Sequence, residues 1–372
     1  MQRKIYIHQE KNWPNFEWDS AHLLPLVGEV RNMQGQLFGK MAALGFELRN
    51  EAQLEALSQD VLKSSEIEGE ILDKYQVRSS LARRLGIKIS GLIDSDRNVD
   101  GVVEMMLDAT QNYDVELSQQ RLFGWHSSLF PSSWSGMFQI QVGQWRNDTA
   151  GPMQVISGAM GKEKVHFEAP SSEILDKEMK AFLQWFNSEQ EIDLVLKSGS
   201  AHLLFITIHP FEDGNGRIAR ALTDMLLSKS EKSKQRFYSM SAQIRIERKQ
   251  YYEILERTQK QNLDITNWLA WFFNCLKGAL ELSSEILKKV LFKHDFWKEH
   301  KGNLNLRQEK MINKVLDGFD GKLTSSKWSK ICKCSKDTAI RDIQDLIKKN
   351  ILMKEPAGGR STNYELFTKP KF

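Results

Sequence analysis

The chain has 372 residues and a mass of 43.0 kDa, with 41% hydrophobic and 27% charged residues. This composition excludes a disordered, collagen-like or disulfide-stapled chain. The net charge of +4 hides an asymmetry: residues 301–372 carry 16 Lys and Arg against 8 Asp and Glu, so the basic surplus lies in the C-terminal segment.

No uncharged apolar run approaches the ~18 residues of a membrane span. Residues Met1–Glu10 lack the apolar stretch of a secretory signal, so no membrane contact and a cytoplasmic location are expected. Three cysteines are sparse, which fits a reducing compartment. Cys332 and Cys334 are spaced C-x-C with no second pair, which does not make a zinc site.

In chain order, residues 1–15 predict an extended arm. A helix follows from Asp19, capped by Asp19 or Ser20, with Leu23, Leu26, Val27, Val30, Met33 and Leu37 at helical spacing. A second helix follows Asn50 and runs into Lys63-Ser-Ser-Glu-Ile-Glu-Gly-Glu70. A third spans about Asp73–Leu85, stopped by Gly86. Further helices are expected from Val102, over Arg121–Phe130, Ser172–Phe186 and Lys197–Ile208, and from just after Gly216 through Leu226. Two more are expected over Ser241–Thr258 and Asn267–Lys289. Between Ser132 and Pro170, glycines, prolines and short alternating runs (Gln139–Val142, Met153–Ile156, Lys164–Phe167) predict hairpins rather than a large sheet.

The segment His209-Pro-Phe-Glu-Asp-Gly-Asn-Gly-Arg-Ile-Ala-Arg220 concentrates chemistry. A helix ends at His209-Pro210, and Asp213–Gly216 is a tight loop. Its backbone amides, with the start of the next helix, make an anion nest. Arg217 and Arg220 lie about one helical turn apart on one side. Asp213 is a hard oxygen ligand suited to Mg²⁺ shared with phosphates. His209 has a base of suitable strength near neutral pH. Together these residues point to phosphoryl or nucleotidyl transfer.

The same residues resemble the Fic motif, His-Pro-Phe-x-Asp/Glu-Gly-Asn-Gly-Arg-x-x-Arg, with every defined position present. The resemblance implies a protein adenylyltransferase that moves AMP from ATP, with Mg²⁺, to a Ser, Thr or Tyr hydroxyl of a target protein. His209 would take the hydroxyl proton, and Asp213 would hold the metal. Gly214, Asn215 and Gly216 would line the anion hole, and pyrophosphate would leave toward Arg217 and Arg220. The hairpin at Lys164–Pro170 occupies the place of the family's target-docking flap, and it reads equally as a plain surface hairpin. Tyr251 and Tyr252 fall where family members place residues near adenine and ribose, although helical aromatics are more often core.

Ser64-Ser-Glu-Ile-Glu-Gly69 is similar to the family's inhibitory motif, with Ser64, Glu68 and Gly69 at its defined positions. Ser65-x-x-Glu68 also spells a helix capping box. The resemblance implies that Glu68 pairs with Arg220 and misplaces the nucleotide's phosphates. In some Fic proteins the same glutamate drives AMP removal, and the direction here stays open.

The C-terminal segment reads as helices over Lys310–Leu316, Thr324–Ile331 and from a Ser335 cap, then strand, turn and strand (Ile351–Met353, Pro356–Asn363, Tyr364–Phe367). That grammar predicts a winged helix-turn-helix. Lys336, Thr338, Arg341, Lys348 and Arg360 could contact DNA, although Asp337, Asp342 and Asp345 share the helix, and winged helices also dock proteins. The rival reading is thus a DNA-binding regulator with the Fic core as a nucleotide sensor. Another keeps the enzyme but changes the donor or removes AMP. The expected architecture is mainly α: a helical N-terminal domain (1–98), a Fic-type helical core with a hairpin flap (99–290) and a winged helix-turn-helix (300–372). A homodimer is the default assembly.

Overall fold

Aspartate and serine residues placed just ahead of apolar-periodic runs set most of the helix starts. The computed structural model describes residues 6–89, 91–149, 151–158, 162, 164–189, 192–300, 302–319, 321–355 and 362–367. A 3-10 turn at Ile7–Gln9 stands where an extended arm was expected; residues 1–5 of that arm lie outside the described residues. Helix α1 (Ser20–Ala42) is capped by Asp19, whose Oδ1 accepts from His22 N–H at 3.0 Å. Helix α2 (Phe46–Ile67) starts before Asn50. Helix α3 (Lys74–Leu85) runs from its Asp73 cap to Gly86, which takes the left-handed conformation. Helices α4 (Arg97–Gln111) and α5 (Gln119–Leu129) are capped by Asp96 and Ser118.

Two antiparallel hairpins follow. Strands β1 (Trp134–Ser135) and β2 (Phe138–Gln139) form the first. It lies earlier than the expected run Gln139–Val142, because residues beyond Gln139 are used to brace the motif loop. Gln141 N–H donates to Glu212 at 3.0 Å and Gly143 N–H to His126 at 3.2 Å. Strands β3 (Gln154–Ser157) and β4 (Lys164–Glu168) form the second, with an irregularity between Val155 and Ile156.

Helices α6 (Ser172–Asn187), α7 (Leu194–Ile208) and α8 (Asn215–Glu231) follow. The stretch expected as one helix over Ser241–Thr258 breaks at Glu247 into α9 (Met240–Ile246) and α10 (Arg248–Gln259). Helix α11 (Thr266–His300) extends past Lys289. Helices α12 (Leu306–Leu316), α13 (Ser325–Cys332) and α14 (Lys336–Lys348) precede the antiparallel pair β5 (Leu352–Lys354) and β6 (Tyr364–Leu366). The fold class is mainly α, as expected. The turn between β5 and β6, with Arg360, lies outside the described residues.

The residues group into two compact units. The first comprises Met1–Ile87 and Ile93–Ser284, so the N-terminal and central helices share one body. Its centre is α7, buried on 13 of its 15 residues, as expected of a helix that is enclosed on every side. Helix α8 packs along α7, α4 packs on α5 and α8, and α2 packs on α9. The second unit comprises Lys88–Leu92 and Glu285–Phe372. Its core gathers Met311, Ile312, Leu323, Trp328, Ile343 and Leu346. Among the described residues, no helix is long and apolar enough to cross a membrane.

Candidate active site

The turn from α7 into α8 builds the site. α7 ends at His209, which takes a left-handed backbone conformation (φ 51°) with its N–H donating to Phe205 O at 2.9 Å. A non-glycine residue rarely adopts this conformation outside functional or over-determined positions. Pro210 then prevents further helix. The imidazole Nδ1 lies 3.2 Å from the Ile206 carbonyl. A carbonyl only accepts, so Nδ1 carries the proton and Nε2 presents its lone pair. Burial lowers the pKa of His209 to about 4, with nearby Arg146 adding to the shift.

The loop Phe211–Gly216 is held shut by its own asparagine. Asn215 Oδ1 accepts from Phe211 N–H at 3.0 Å and its Nδ2 donates to Phe211 O at 2.8 Å. Asn215 therefore shapes the loop with its side chain. Helix α8 begins without a side-chain cap at Gly214, so its first amides keep their donor capacity and positive potential. The Gly214 N–H itself donates to Asp213 Oδ1 at 2.6 Å, so the amides at the start of α8 proper begin with Asn215 and Gly216.

Arg220 is buried (side chain 1% exposed), and the Nε and Nη2 of its guanidinium are engaged by the end of α2 while the buried Nη1 has no hydrogen-bond partner. Nη2 donates to Glu68 Oε1 at 2.7 Å and to the Ser64 carbonyl at 2.8 Å, and Nε donates to Ser64 Oγ at 2.9 Å. Burial works against the charge, but the Glu68 carboxylate more than offsets it, and the pKa is raised. Glu68 also lies against the loop itself: a Cβ added at Gly216 would sit 2.0 Å from Glu68 Oε1. Only glycine leaves room there for the carboxylate. The capping-box alternative for Ser65-x-x-Glu68 does not hold. Ser65 lies inside α2, and Glu68 is its C-cap.

Several contributors have no local sequence signal. Glu70 Oε2 accepts from Arg217 Nη1 at 2.7 Å, and Arg217 lies over the Phe130 ring at 4.9 Å. His126 accepts from Gly143 at Nδ1, so its Nε2–H donates to Asp213 O at 3.2 Å. Arg146 donates to His209 O at 2.8 Å and to Pro170 O at 2.5 Å. It ties the expected base to the end of the flap. Each partner lies tens of residues away in sequence, so only the folded chain reveals these contacts.

Tyr251 is buried behind Arg220, and its hydroxyl pairs with His202 Nε2 at 2.9 Å. Tyr252 is 39% exposed and lies beside Arg248, whose guanidinium is 5.3 Å from its ring centroid. Of the two tyrosines, Tyr252 faces outward and Tyr251 inward. The flap is fixed at its base: Phe167 is buried against Tyr6, and His166 Nδ1 lies 2.6 Å from Glu256 Oε2. Among the described residues this sheet has two strands, β3 and β4.

Asp213 offers one carboxylate. Its Oδ1 accepts from Gly214 N–H at 2.6 Å and its Oδ2 from the Ser135 hydroxyl. Each oxygen retains a lone pair. Among the described residues, no group of three His, Cys, Asp or Glu side chains converges on a metal position. This donor set fits Mg²⁺ as one protein ligand completed by substrate phosphates, and not as an all-protein cage.

Comparison with known proteins agrees with this geometry. Residues 116–227 match the family described as Fic/DOC family. Residues 6–87 match a domain described as Domain of unknown function (DUF4172). A probable protein adenylyltransferase of Aquifex aeolicus is 32% identical over 112 residues, 30% of each chain. The protein adenylyltransferase Fic of Drosophila grimshawi is 27% identical over 235 residues, 62% of this chain and 44% of that protein. The chain thus spans less than half the length of these curated relatives. Among solved structures, a Fic family protein from Desulfovibrio desulfuricans aligns with a TM-score of 0.51 at 20% identity, covering 94% of this chain and 97% of that one. A Fic domain containing signaling protein from Bacteroides thetaiotaomicron aligns at 0.50 and 20% identity, over 72% of this chain and 97% of that one. The motif loop between α7 and α8 thus lies within a Fic/DOC family domain at residues 116–227, and the fold around it is that of solved Fic proteins.

Proposed function

We propose that this protein is an adenylyltransferase that moves AMP from ATP to a hydroxyl of a protein segment laid along the β3–β4 flap, and that the end of α2 inhibits it. The observation that carries the reading is the buried Arg220 held by Glu68 and Ser64 inside the motif loop, next to a neutral His209 with Nε2 available. In the forward reaction the target oxygen attacks the α-phosphorus of ATP. His209 Nε2 takes the hydroxyl proton, the bond to the β-phosphate oxygen breaks, and pyrophosphate leaves toward Arg217 and Arg220. Asp213 would hold Mg²⁺, which when bound neutralises phosphate charge. The free amides at the start of α8 stabilise the phosphoryl oxygens. While Glu68 occupies Arg220, the phosphates lose that anchor, and a displacement of about 1 Å suffices to cut the rate by roughly 10²-fold.

The test is label transfer from α-labelled ATP with Mg²⁺ by the wild type, Glu68→Gly and His209→Ala. Glu68→Gly should transfer roughly 10- to 100-fold more than wild type, the value of one charge-assisted hydrogen bond. His209→Ala should lose roughly 10²–10⁴-fold. Label absent from every variant while ATP still binds would overturn the reading in favour of AMP removal or another donor.

A second reading gives the C-terminal unit a DNA partner. It is supported by where α14 spends its acids. Asp342 is buried, accepting from Arg307 at 2.8 and 2.9 Å, and Asp345 accepts from Gln308 and Lys349. Lys336, Arg341 and Lys348 stay exposed on the helix beside an exposed Asp337 and a half-exposed Asp345, so the burial of Asp342 removes one of the three acids from the outward face. The test is the salt dependence of duplex binding by the full chain.

A further inference from the structure

The sequence Glu68-Gly69-Glu70 places two carboxylates on either side of one glycine, and the way α2 ends gives each its own arginine. Gly69 has φ +87°. Its N–H donates to Glu66 O at 3.1 Å, and Glu70 N–H donates to Ser65 O at 3.0 Å. This pair of reversed hydrogen bonds is a Schellman cap. Glu68 emerges just before the turn and reaches Arg220. Glu70 emerges just after it and reaches Arg217.

The Arg217 contact is more than a surface pair. The Arg217 side chain is 5% exposed, against 36% for Glu70. The Phe130 ring covers the guanidinium, and the buried Nε has no hydrogen-bond partner. The Glu70 carboxylate therefore meets a largely desolvated cation whose freedom to turn elsewhere is restricted. Arg217 also sits in the first turn of α8, the positive end of that helix. A carboxylate here stands in the position an anionic ligand would take. The two glutamates together cancel the charge of the two motif arginines, so an incoming polyphosphate has to displace a carboxylate to reach either one.

We propose that Glu70 is a second nucleotide-excluding residue, which occupies Arg217 independently of the hold Glu68 has on Arg220. The proposal rests on the adenylyltransfer reading and deepens it. Release of the site then takes two steps, and removing Glu68 alone yields an enzyme that is only partly released. Because Arg217 and Arg220 would serve the β- and γ-phosphates, Glu70 should affect ATP and leave AMP alone.

The experiment uses the full chain as wild type, Glu70→Ala, Glu68→Gly and the double variant. Titration calorimetry with ATP and with AMP, in Mg²⁺, is read beside label transfer. Glu70→Ala keeps the backbone N–H that completes the cap, and a thermal melt checks the fold. Glu70→Asp should restore part of the lost exclusion. The expected result is ATP affinity roughly tenfold tighter on removing Glu70 in both backgrounds, with AMP affinity unchanged and the double variant transferring more label than Glu68→Gly. Unchanged ATP affinity in both backgrounds overturns the proposal, as do equal changes for ATP and AMP. If ATP tightens as expected but no variant moves label to protein, the Glu70 assignment stands and the adenylyltransfer reading falls. If no variant binds ATP, both fall.

Discussion

In the proposed reaction His209 is the base, and its environment makes a specific kinetic demand. Burial lowers its pKa from the ordinary 6.5 to about 4, so the imidazole is neutral over the physiological range. A base is active only when unprotonated, so the acid limb of the rate should fall near pH 4 and not near 6.5. The pH profile of transfer by Glu68→Gly reads this directly; a limb at pH 6–7 would contradict the neutral, carbonyl-anchored imidazole. At this scale the sequence was legible where spacing is local. The twelve residues from His209 to Arg220 announce a base, an anion nest and two cations. Glu70, Ser135, His126 and Arg146 were not legible. Each acts on a residue 63 to 147 positions away, and no periodicity links the partners.

The element that holds both motif arginines is the last turn of α2. Its helical path aligns Ser64 with Glu68 at i, i+4, and Gly69 redirects the chain so that Glu70 returns to the same loop. An L-residue at φ +87° costs about 1–2 kcal/mol. Gly69→Ala should therefore loosen both carboxylates at once. In the otherwise wild-type chain, label transfer should rise by a factor of roughly 5 to 30, less than in Glu68→Gly/Glu70→Ala. A lower melting temperature with no rise in transfer would separate the cap from the inhibition. Most helix starts were legible because their signals are local: Asp19, Asp73 and Ser335 all cap as their chemistry suggests. The first hairpin was misplaced because Gln141 and Gly143 bond to Glu212 and His126 across the fold, and those contacts outweigh an alternating pattern of four residues.

At the scale of the whole molecule, the charge asymmetry read from the sequence coincides with a unit that has its own core. If α14 meets DNA, each phosphate it neutralises contributes about 0.9 to the slope of log affinity against log salt. Replacing Lys336, Arg341 and Lys348 with glutamine should lower that slope by about 2.7 while leaving adenylyl transfer by Glu68→Gly unchanged. An unaltered slope would remove DNA from the account of this unit. In the first unit, α2 is bolted down well before it reaches the site. Asp60 is buried and accepts from Ser239 Oγ at 2.5 Å and from Ser241 N–H at 3.1 Å, and Leu54, Leu57 and Val61 are fully enclosed. Lifting the whole helix would leave the buried Ser239 hydroxyl and Ser241 amide without their acceptor, so if α2 inhibits as proposed, activation is better pictured as fraying: the final turn lets go while the shaft stays in place. On that proposal an activator would have to capture only a few residues at the tip, and the motion it would harvest is the transient opening that every helix end undergoes.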